Sequence, residues 1–240
     1  MQITRLIAAL ALSVLVSGAA SAGDSPDDIK IPAFFDLPAA ADLKATAALT
    51  PGSAGYSARE VALAWHGLAS LGEDGASREA IRLLDELPEV QGDALLKAYL
   101  GSAYLMKARD QSFIPARVRS VRRGLEILNE AAGAAPHDFR VHAIRAGSTM
   151  NLPDIFDYRR TVREDLEVAL TMIEGGDAPV AGGSVTEGRM LAALVKVCLQ
   201  SGEEACAQNR LRQLETDFSD DAELRVTVAR LRTAYDAHTN

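Results

Sequence analysis

Metal and acid–base chemistry need histidines and carboxylates held together at fixed spacing, and the histidines of this sequence are few and scattered. The chain contains His66, His137, His142 and His238. It has no H-E-x-x-H motif and no histidine pair at helical ligand spacing with an acidic third member. A histidine beside a proline turn, such as His137, is usually a cap or surface residue. The sequence therefore predicts no metal site and no cofactor.

Nucleophilic and phosphate chemistry also lack their usual motifs. No G-x-S-x-G sequence is present to form a nucleophile elbow. The glycine-rich stretch Gly182-Gly183-Ser184 lacks the lysine that a phosphate-binding loop would place after it. We therefore expect a protein that is not an enzyme, whereas an unrecognised hydrolase would show turnover that depends on one acidic residue.

The two cysteines, Cys198 and Cys206, lie four residues before and four residues after Gly202. In an antiparallel hairpin that turns at Ser201-Gly202, positions equally far from the turn come close together. A disulfide closing so short a loop would add roughly 2–3 kcal/mol of stability. The alternative is that both cysteines are small core residues, and we favour the disulfide.

Arginines are concentrated in the middle of the chain. Nine lie between Arg117 and Arg163, against five acidic residues in the same stretch. The planar guanidinium suits carboxylates and phosphates, so an anionic peptide or ligand is one interpretation, with Arg122 and Arg160 as its test residues. A solvated surface paired with neighbouring acidic residues is the interpretation we favour.

The elements that position these residues are predicted to be helices. From Ser57 onward apolar residues recur at steps of three and four, the spacing of a helix with one buried face. No stretch alternates with period two over the length of a strand, so we expect essentially no sheet. Nine apolar stripes begin near Val61, Ala80, Leu96, Val118, Val141, Val162, Leu191, Ala207 and Leu224.

Residues 23–56 differ from the rest, because they hold four prolines, many alanines and few periodic apolar positions. This composition predicts an extended arm or linker ahead of a helical domain over residues 57–240. The apolar patch Ile31-Pro32-Ala33-Phe34-Phe35 is expected to pack on the first helices, with an exposed partner-binding motif as the alternative.

Residues 97–136 resemble the tetratricopeptide repeat, whose first helix carries L-G-x2-Y and whose second helix carries small residues before a closing proline. Here the first helix has Leu100-Gly101-x2-Tyr104, although Lys97 stands where the family favours tryptophan. Small residues suit the close crossing of the two helices in a pair. The second helix supplies the remaining matching positions, namely Gly124, Leu128, Ala131 and Pro136.

The resemblance is to a degenerate member of the family and implies an all-α fold. The expected architecture is a right-handed stack of antiparallel helix hairpins, a TPR-like solenoid of about nine helices. Shorter echoes of the pattern occur at Ala80-x3-Leu84, and the pairs 139–174 and 186–217 match in length and apolar stripe.

The first 22 residues have the order of a secretory signal peptide. Arg5 precedes an apolar run from Leu6 to Val16, and Ala20-Ser21-Ala22 forms an A-x-A cleavage site. The run is too short for a permanent membrane anchor, which needs roughly 20 apolar residues. We expect cleavage after Ala22 and a location in the bacterial periplasm or outside the cell.

The net charge of the mature chain indicates which classes of partner to expect. Arg5 is the one charged residue of the signal, so the mature chain would carry 24 basic residues against 33 acidic residues, a net charge of −9. This balance argues against nucleic acid or an anionic membrane surface as partner. We expect no stable membrane insertion after cleavage, and the sequence does not indicate an oligomeric state.

Stacked hairpins of this family usually hold peptides or partner proteins on a concave surface, so the resemblance implies a non-catalytic scaffold or adaptor. We expect the groove to be lined by first helices of the pairs, including Lys97, Tyr104 and Arg145. The alternative is a carrier of a small anionic ligand bound by the arginines between Arg117 and Arg163.

The signal peptide gives the first testable prediction. N-terminal sequencing of the exported protein should begin at Gly23, because the A-x-A site places the cut after Ala22. An exported protein that still begins with Met1 would contradict the assignment.

Overall fold

A computed structural model describes residues 25–176 and 183–239, and its regular structure within these ranges is entirely helical. The prediction of an all-α protein without strands is confirmed for these residues. In chain order the ten α-helices are α1 (Ala40–Ala47), α2 (Ala58–Ser70), α3 (Ala76–Glu86), α4 (Ala94–Asp110), α5 (Ile114–Ala134), α6 (Phe139–Thr149), α7 (Arg159–Glu174), α8 (Gly183–Gln200), α9 (Glu204–Asp217) and α10 (Ala222–Thr239). Short 3-10 turns occur at Pro26–Asp28, Pro88–Gln91 and Asp154–Phe156.

Side-chain caps explain where several helices begin. The Ser57 hydroxyl accepts the backbone N–H of Glu60 at the start of α2. At the start of α4, the Asp93 carboxylate accepts two backbone N–H groups at 2.9 and 3.0 Å. Asp221 does the same ahead of α10. Each cap satisfies backbone donors that a helix cannot pair internally, and the carboxylates also suit the positive end of the helix dipole.

The chain divides into two compact units, each described by itself. One unit comprises residues 36–148. The other combines the N-terminal residues up to Phe35 with residues from Thr149 onward. The repeat domain predicted over residues 57–240 stays a prediction, and the two helices of its predicted pair 139–174 fall in different units.

In the unit of residues 36–148, helices adjacent in sequence pack together from α1 to α5, and α2 also packs on α4. The core holds Leu84, Leu96 and Leu100, all at most 5% exposed, with Trp65 and Tyr104 packed at its margin. Because each apolar stripe faces its sequence neighbours, local pairing accounts for much of this core.

The closest approach in that unit is the crossing of α4 and α5 at two glycines. A Cβ atom placed on Gly101 would lie 2.8 Å from the Leu128 Cγ and 2.9 Å from the Gly124 carbonyl oxygen. A Cβ atom on Gly124 would lie 2.8 Å from the Gly101 carbonyl oxygen. Leu128 and Ala131 beside the crossing are fully buried. The backbones can approach this closely only because neither position carries a side chain.

In the other unit, α8 is the central helix and packs against α7, α9 and α10. Its side chains from Arg189 to Leu199 are all buried, so α8 is covered on every side. The disulfide joins Cys198 on α8 to Cys206 on α9, with an S–S distance of 2.03 Å and a Cα–Cα distance of 5.9 Å.

The predicted elements and the structure differ in two places. All nine predicted stripes lie in helices, but the structure adds α1 inside the segment predicted to be an extended arm. Residues 106–117, which separate the two halves of the repeat by more than a tight turn would, extend α4 and begin α5, so that a connection of only three residues, 111–113, remains. Residues 1–22, where the signal peptide is predicted, lie outside the described residues, as does Gly182.

No helix among the described residues combines the length and the apolar character needed to cross a membrane.

The glycine crossing gives the second prediction. Gly101→Ala should destabilise the unit of residues 36–148 by about 1–3 kcal/mol, because its Cβ would meet backbone as well as side-chain atoms. Gly133→Ala, also in α5 but with nothing near its Cβ position, should instead add about 0.5–1 kcal/mol. Urea unfolding followed by fluorescence of Trp65, the single tryptophan, measures both changes in the same unit. Equal effects of the two variants would show that the crossing is not tightly packed.

Candidate functional site

Residues Ser25–Phe35 form an extended stretch that lies along α8, and we call it the N-terminal segment. It begins with the 3-10 turn Pro26–Asp28 and continues from Ile29 without helix or strand. Ile29 is 1% exposed and Phe34 is 6% exposed, whereas Lys30 and Ala33 between them are exposed. The expectation that this apolar patch packs on the first helices is wrong, since it belongs to the unit of the C-terminal helices.

Two basic side chains of α8 donate hydrogen bonds to the backbone of the N-terminal segment. The Lys196 Nζ donates to the Ile29 carbonyl oxygen at 2.9 Å and to the Asn151 Oδ1 at 3.2 Å. The Arg189 guanidinium donates to the Ala33 carbonyl oxygen at 3.0 Å and to the Glu223 carboxylate at 2.6 Å. Both basic residues are less than one-tenth exposed, so the carbonyl oxygens replace water as their acceptors.

Further contacts hold the beginning of the segment. The Gln200 Nε2 donates to the Asp27 carboxylate at 2.6 Å, and the Arg230 guanidinium on α10 donates to the Asp28 carbonyl oxygen at 3.3 Å.

The contacts follow a regular order along α8. As residue numbers rise along the segment from Asp27 to Ala33, the contacting residues of α8 fall from Gln200 to Arg189. The segment is therefore antiparallel to α8. Eleven helical residues span roughly 16 Å and six extended residues roughly 19 Å, so the two lengths match.

Burial lowers the pKa of Lys196, and the carboxylates of Asp27 and Asp28 act in the opposite direction. The acidic start of the segment therefore offsets part of the cost of burying this ammonium group.

Three of the described contacts fall on main-chain carbonyl oxygens, which every residue type carries. Such contacts position an extended chain whatever its sequence, whereas the burial of the Ile29 and Phe34 side chains requires apolar residues at these two positions. The arrangement therefore holds this extended stretch by its backbone and buries two of its apolar side chains.

The other unit has a buried polar chain that links three helices. The His66 Nε2 on α2 lies 3.1 Å from the Ser102 hydroxyl on α4, which accepts a hydrogen bond from Ser148 on α6 at 2.9 Å. Tyr99 packs edge-on against the His66 ring with a centroid distance of 4.9 Å. Burial lowers the pKa of His66 to about 4, so the ring is neutral at pH 7. His66 and Ser102 are less than one-tenth exposed, and Ser148 is half-buried. This burial suits a structural link between the three helices better than nucleophilic attack on a substrate.

Lys97 and Tyr104, which are expected to line a groove, both contact the second helix of their own hairpin, and Tyr104 also contacts α3. The Lys97 Nζ lies 3.5 Å from the Glu130 carboxylate on α5. The Tyr104 hydroxyl interacts with Asp85 on α3 and Arg123 on α5, and burial raises the pKa of Tyr104. Both side chains therefore face the paired helices.

The three arginines expected to contact a partner lie on three different helices. Arg145 on α6 donates to the Asn129 Oδ1 at 3.0 Å. Arg122 is exposed on α5, in the same unit. Arg160 is on α7 in the other unit, with a side chain that is 83% exposed and 3.7 Å from Glu164.

Most of the concentrated arginines have partners within the chain. Arg123 and Arg140 pair with Glu126 and Asp138, and Arg163 pairs with Glu203. Arg117 and Arg159 donate to the carbonyl oxygens of Gln111 and Gln200. With Arg145 and Arg160, seven of the nine arginines have a contact of this kind, which favours the interpretation of a surface paired with neighbouring groups.

The side chains grouped closely enough to ligate a metal among the described residues are Cys198, Glu203 and Cys206. Both sulfur atoms are joined in the disulfide, and Glu203 pairs with Arg163. The group as it stands therefore serves as a covalent link and an ion pair between helices.

Sequence analysis missed the residues that hold the N-terminal segment, although a signal was present. Arg189 and Lys196 lie seven residues apart and Gln200 one turn further, so all three share one face of a helix that is otherwise apolar. Basic residues on a buried face require acceptors, and this requirement could have indicated a backbone-binding surface.

The buried histidine gives the third prediction. Because the pKa of His66 is about 4 when folded and 6.5 when unfolded, the unfolded chain binds more protons between these values. The contribution of neutral His66 is complete above pH 6.5 and is lost as the pH falls toward 4, by up to about 3 kcal/mol. His66→Leu should remove this part of the pH dependence, whereas His137→Leu, at an exposed position, should retain it. Urea unfolding from pH 7 to pH 4, followed by Trp65 fluorescence, tests this, and identical pH profiles for wild type and His66→Leu would contradict it.

Comparison with known proteins identifies no relative: no family model, curated protein or solved structure matches this chain.

Proposed function

We propose that this protein is a periplasmic, non-catalytic scaffold of stacked TPR-like helix hairpins that binds an extended peptide or the extended segment of a partner protein. The main support for the proposal is the way in which α8 holds the N-terminal segment. A helix face that holds one extended chain through backbone carbonyl oxygens and two buried anchors has the properties that peptide recognition requires.

The packing in both units supports the stacked arrangement. Helices adjacent in sequence pack together, and alternate helices also touch, as α2 touches α4 and α8 touches α10. The hydrogen-bonded chain from His66 through Ser102 to Ser148 links α2, α4 and α6, which are the first helices of successive predicted pairs. Side-by-side first helices are typical of solenoids built from hairpins.

The location is proposed from the signal-like start of the sequence, and the disulfide supports it. A disulfide between Cys198 and Cys206 suits an oxidising compartment such as the periplasm.

The alternative of a small-anion carrier has little support, because most of the concentrated arginines are occupied by neighbouring carboxylates and carbonyl oxygens. A carrier would need several of these guanidinium groups available to one ligand.

An exposed apolar residue of α10, spaced three and four residues from Glu223 and Arg230 and so on the same helix face, offers a direct test. Val226 on α10 is 67% exposed and lies between Glu223, which pairs with Arg189, and Arg230, which contacts the segment. A photo-crosslinking amino acid at Val226 should yield discrete adducts with one partner in living cells, because this position borders the proposed peptide site. The same amino acid at Thr216, exposed on α9, is the matched control and should yield none of them. Mass spectrometry identifies the adducts. Adducts at neither position, or the same adducts at both, would contradict the proposal.

A further inference from the structure

We propose that the N-terminal segment is a tethered competitor, which occupies a site on α8 and α10 whose partner is an extended peptide of matching chemistry. The peptide carries an acidic residue, an aliphatic anchor two residues later and an aromatic anchor five residues after that. This inference rests on the proposed function, since it names the ligand class and the regulation of the same site.

The acidic position follows from the electrostatics at the start of the site. The Asp27 carboxylate accepts from Gln200 at 2.6 Å, and the next two residues, Asp28 and Ile29, accept from Arg230 and Lys196 through their carbonyl oxygens. The charges of Asp27 and Asp28 favour the protonated form of buried Lys196. In a protein with a formal net charge of −8, this local group of cations attracts an acidic peptide more strongly than a basic one.

The two anchors follow from the pattern of burial. Ile29 and Phe34 are buried, whereas the side chains of Lys30 and Ala33 point out of the site and are exposed. Buried side chains separated by exposed ones along an extended chain are a pattern by which peptide-binding surfaces select sequences. Lys30 and Ala33 are therefore free to vary, whereas Ile31 and Pro32 are half-buried.

The N-terminal segment resembles a bound ligand, because its described carbonyl contacts beyond the 3-10 turn are with side chains of α8 and not within the segment. Beyond the 3-10 turn, the Ile29 and Ala33 carbonyl oxygens are satisfied by side chains of α8. The connection to α1 passes through Leu37, Pro38 and Ala39, which are exposed. A single exposed connection allows the segment to leave without unfolding α1.

Because the segment is covalently attached to its site, it sets the affinity that a partner peptide needs to displace it. A segment attached to its own site competes at an effective concentration of about millimolar for a short flexible connection. An outside peptide therefore binds the intact chain with an affinity reduced by the fraction of molecules in which the site is open. Only a partner that binds more tightly than the segment, or that is present at high local concentration, displaces it.

The test inserts the recognition sequence of a site-specific protease between Leu37 and Pro38 and uses the folded chain from Gly23 before and after the cut. A fluorescent peptide with the sequence of Ser25–Phe35 is added, and its anisotropy reports binding. After the cut, the peptide should replace the released segment while circular dichroism shows unchanged helix content. Before the cut, its apparent affinity should be roughly tenfold or more lower, because the tethered segment competes.

Two variant peptides test the chemistry of recognition. A peptide with Ile29→Ala and Phe34→Ala should bind the cut chain ~100-fold more weakly, because both anchors lose their burial. A peptide with Lys30→Ala should bind as well as the original sequence, because Lys30 is exposed. Lys196→Met in the chain should weaken binding of every peptide, whereas Lys44→Met, at a lysine with a 56% exposed side chain, should not.

Loss of helix content on release of the segment would overturn the inference, since the segment would then be part of the folded core. Equal binding of the original and double-alanine peptides would also overturn it. The outcome is separable from that of the proposed function. Failed exchange together with specific adducts at Val226 would retain the scaffold and reject the competitor, and exchange without adducts would retain the competitor and reject the scaffold.

Discussion

The burial of two cationic side chains in an apolar stretch of α8 is the constraint that fixes where the N-terminal segment lies in the C-terminal unit. Lys196 and Arg189 lie on one face of α8, and each is less than one-tenth exposed. A buried cation without acceptors would cost several kcal/mol, so oxygen atoms must be supplied from elsewhere in the chain. Asn151 and Glu223 supply some, and the carbonyl oxygens of the N-terminal segment supply others. The unit is thus completed by residues more than 150 positions away in sequence.

The unit of residues 36–148 depends on a different constraint, which is local. Its helices contact their sequence neighbours, and the tightest contact is the crossing at Gly101 and Gly124. Because both partners lie within one hairpin, this packing is encoded over a short stretch of sequence. The polar chain from His66 to Ser148 adds a link between hairpins that is buried and therefore sensitive to protonation.

This contrast explains what could be predicted from the sequence. Apolar periodicity located nine of the ten described helices. The equal spacing of Cys198 and Cys206 from Gly202 predicted their disulfide. Both signals lie within a short stretch of sequence. Helix α1 was missed because half of its eight residues are alanine and it buries a single leucine, Leu43. The assignment of Lys97 and Tyr104 to an open groove came from the family resemblance and stays a prediction, while their contacts with Glu130, Asp85 and Arg123 were not indicated by the sequence. The binding of the N-terminal segment is a long-range contact, which no periodic pattern encodes.

In our proposal the N-terminal segment covers Lys196 and can be separated from it, and lysine reactivity measures both properties. Acylation of the native chain, followed by mass spectrometry, measures the reactivity of each lysine, with exposed Lys44 as the internal standard. Lys196 should be protected from acylation in the intact chain, because it is 3% exposed. Once the segment has been cut free and removed, Lys196 should approach the reactivity of Lys44 while helix content stays unchanged. Equal reactivity of the two lysines before the cut, or unfolding after it, would contradict the account.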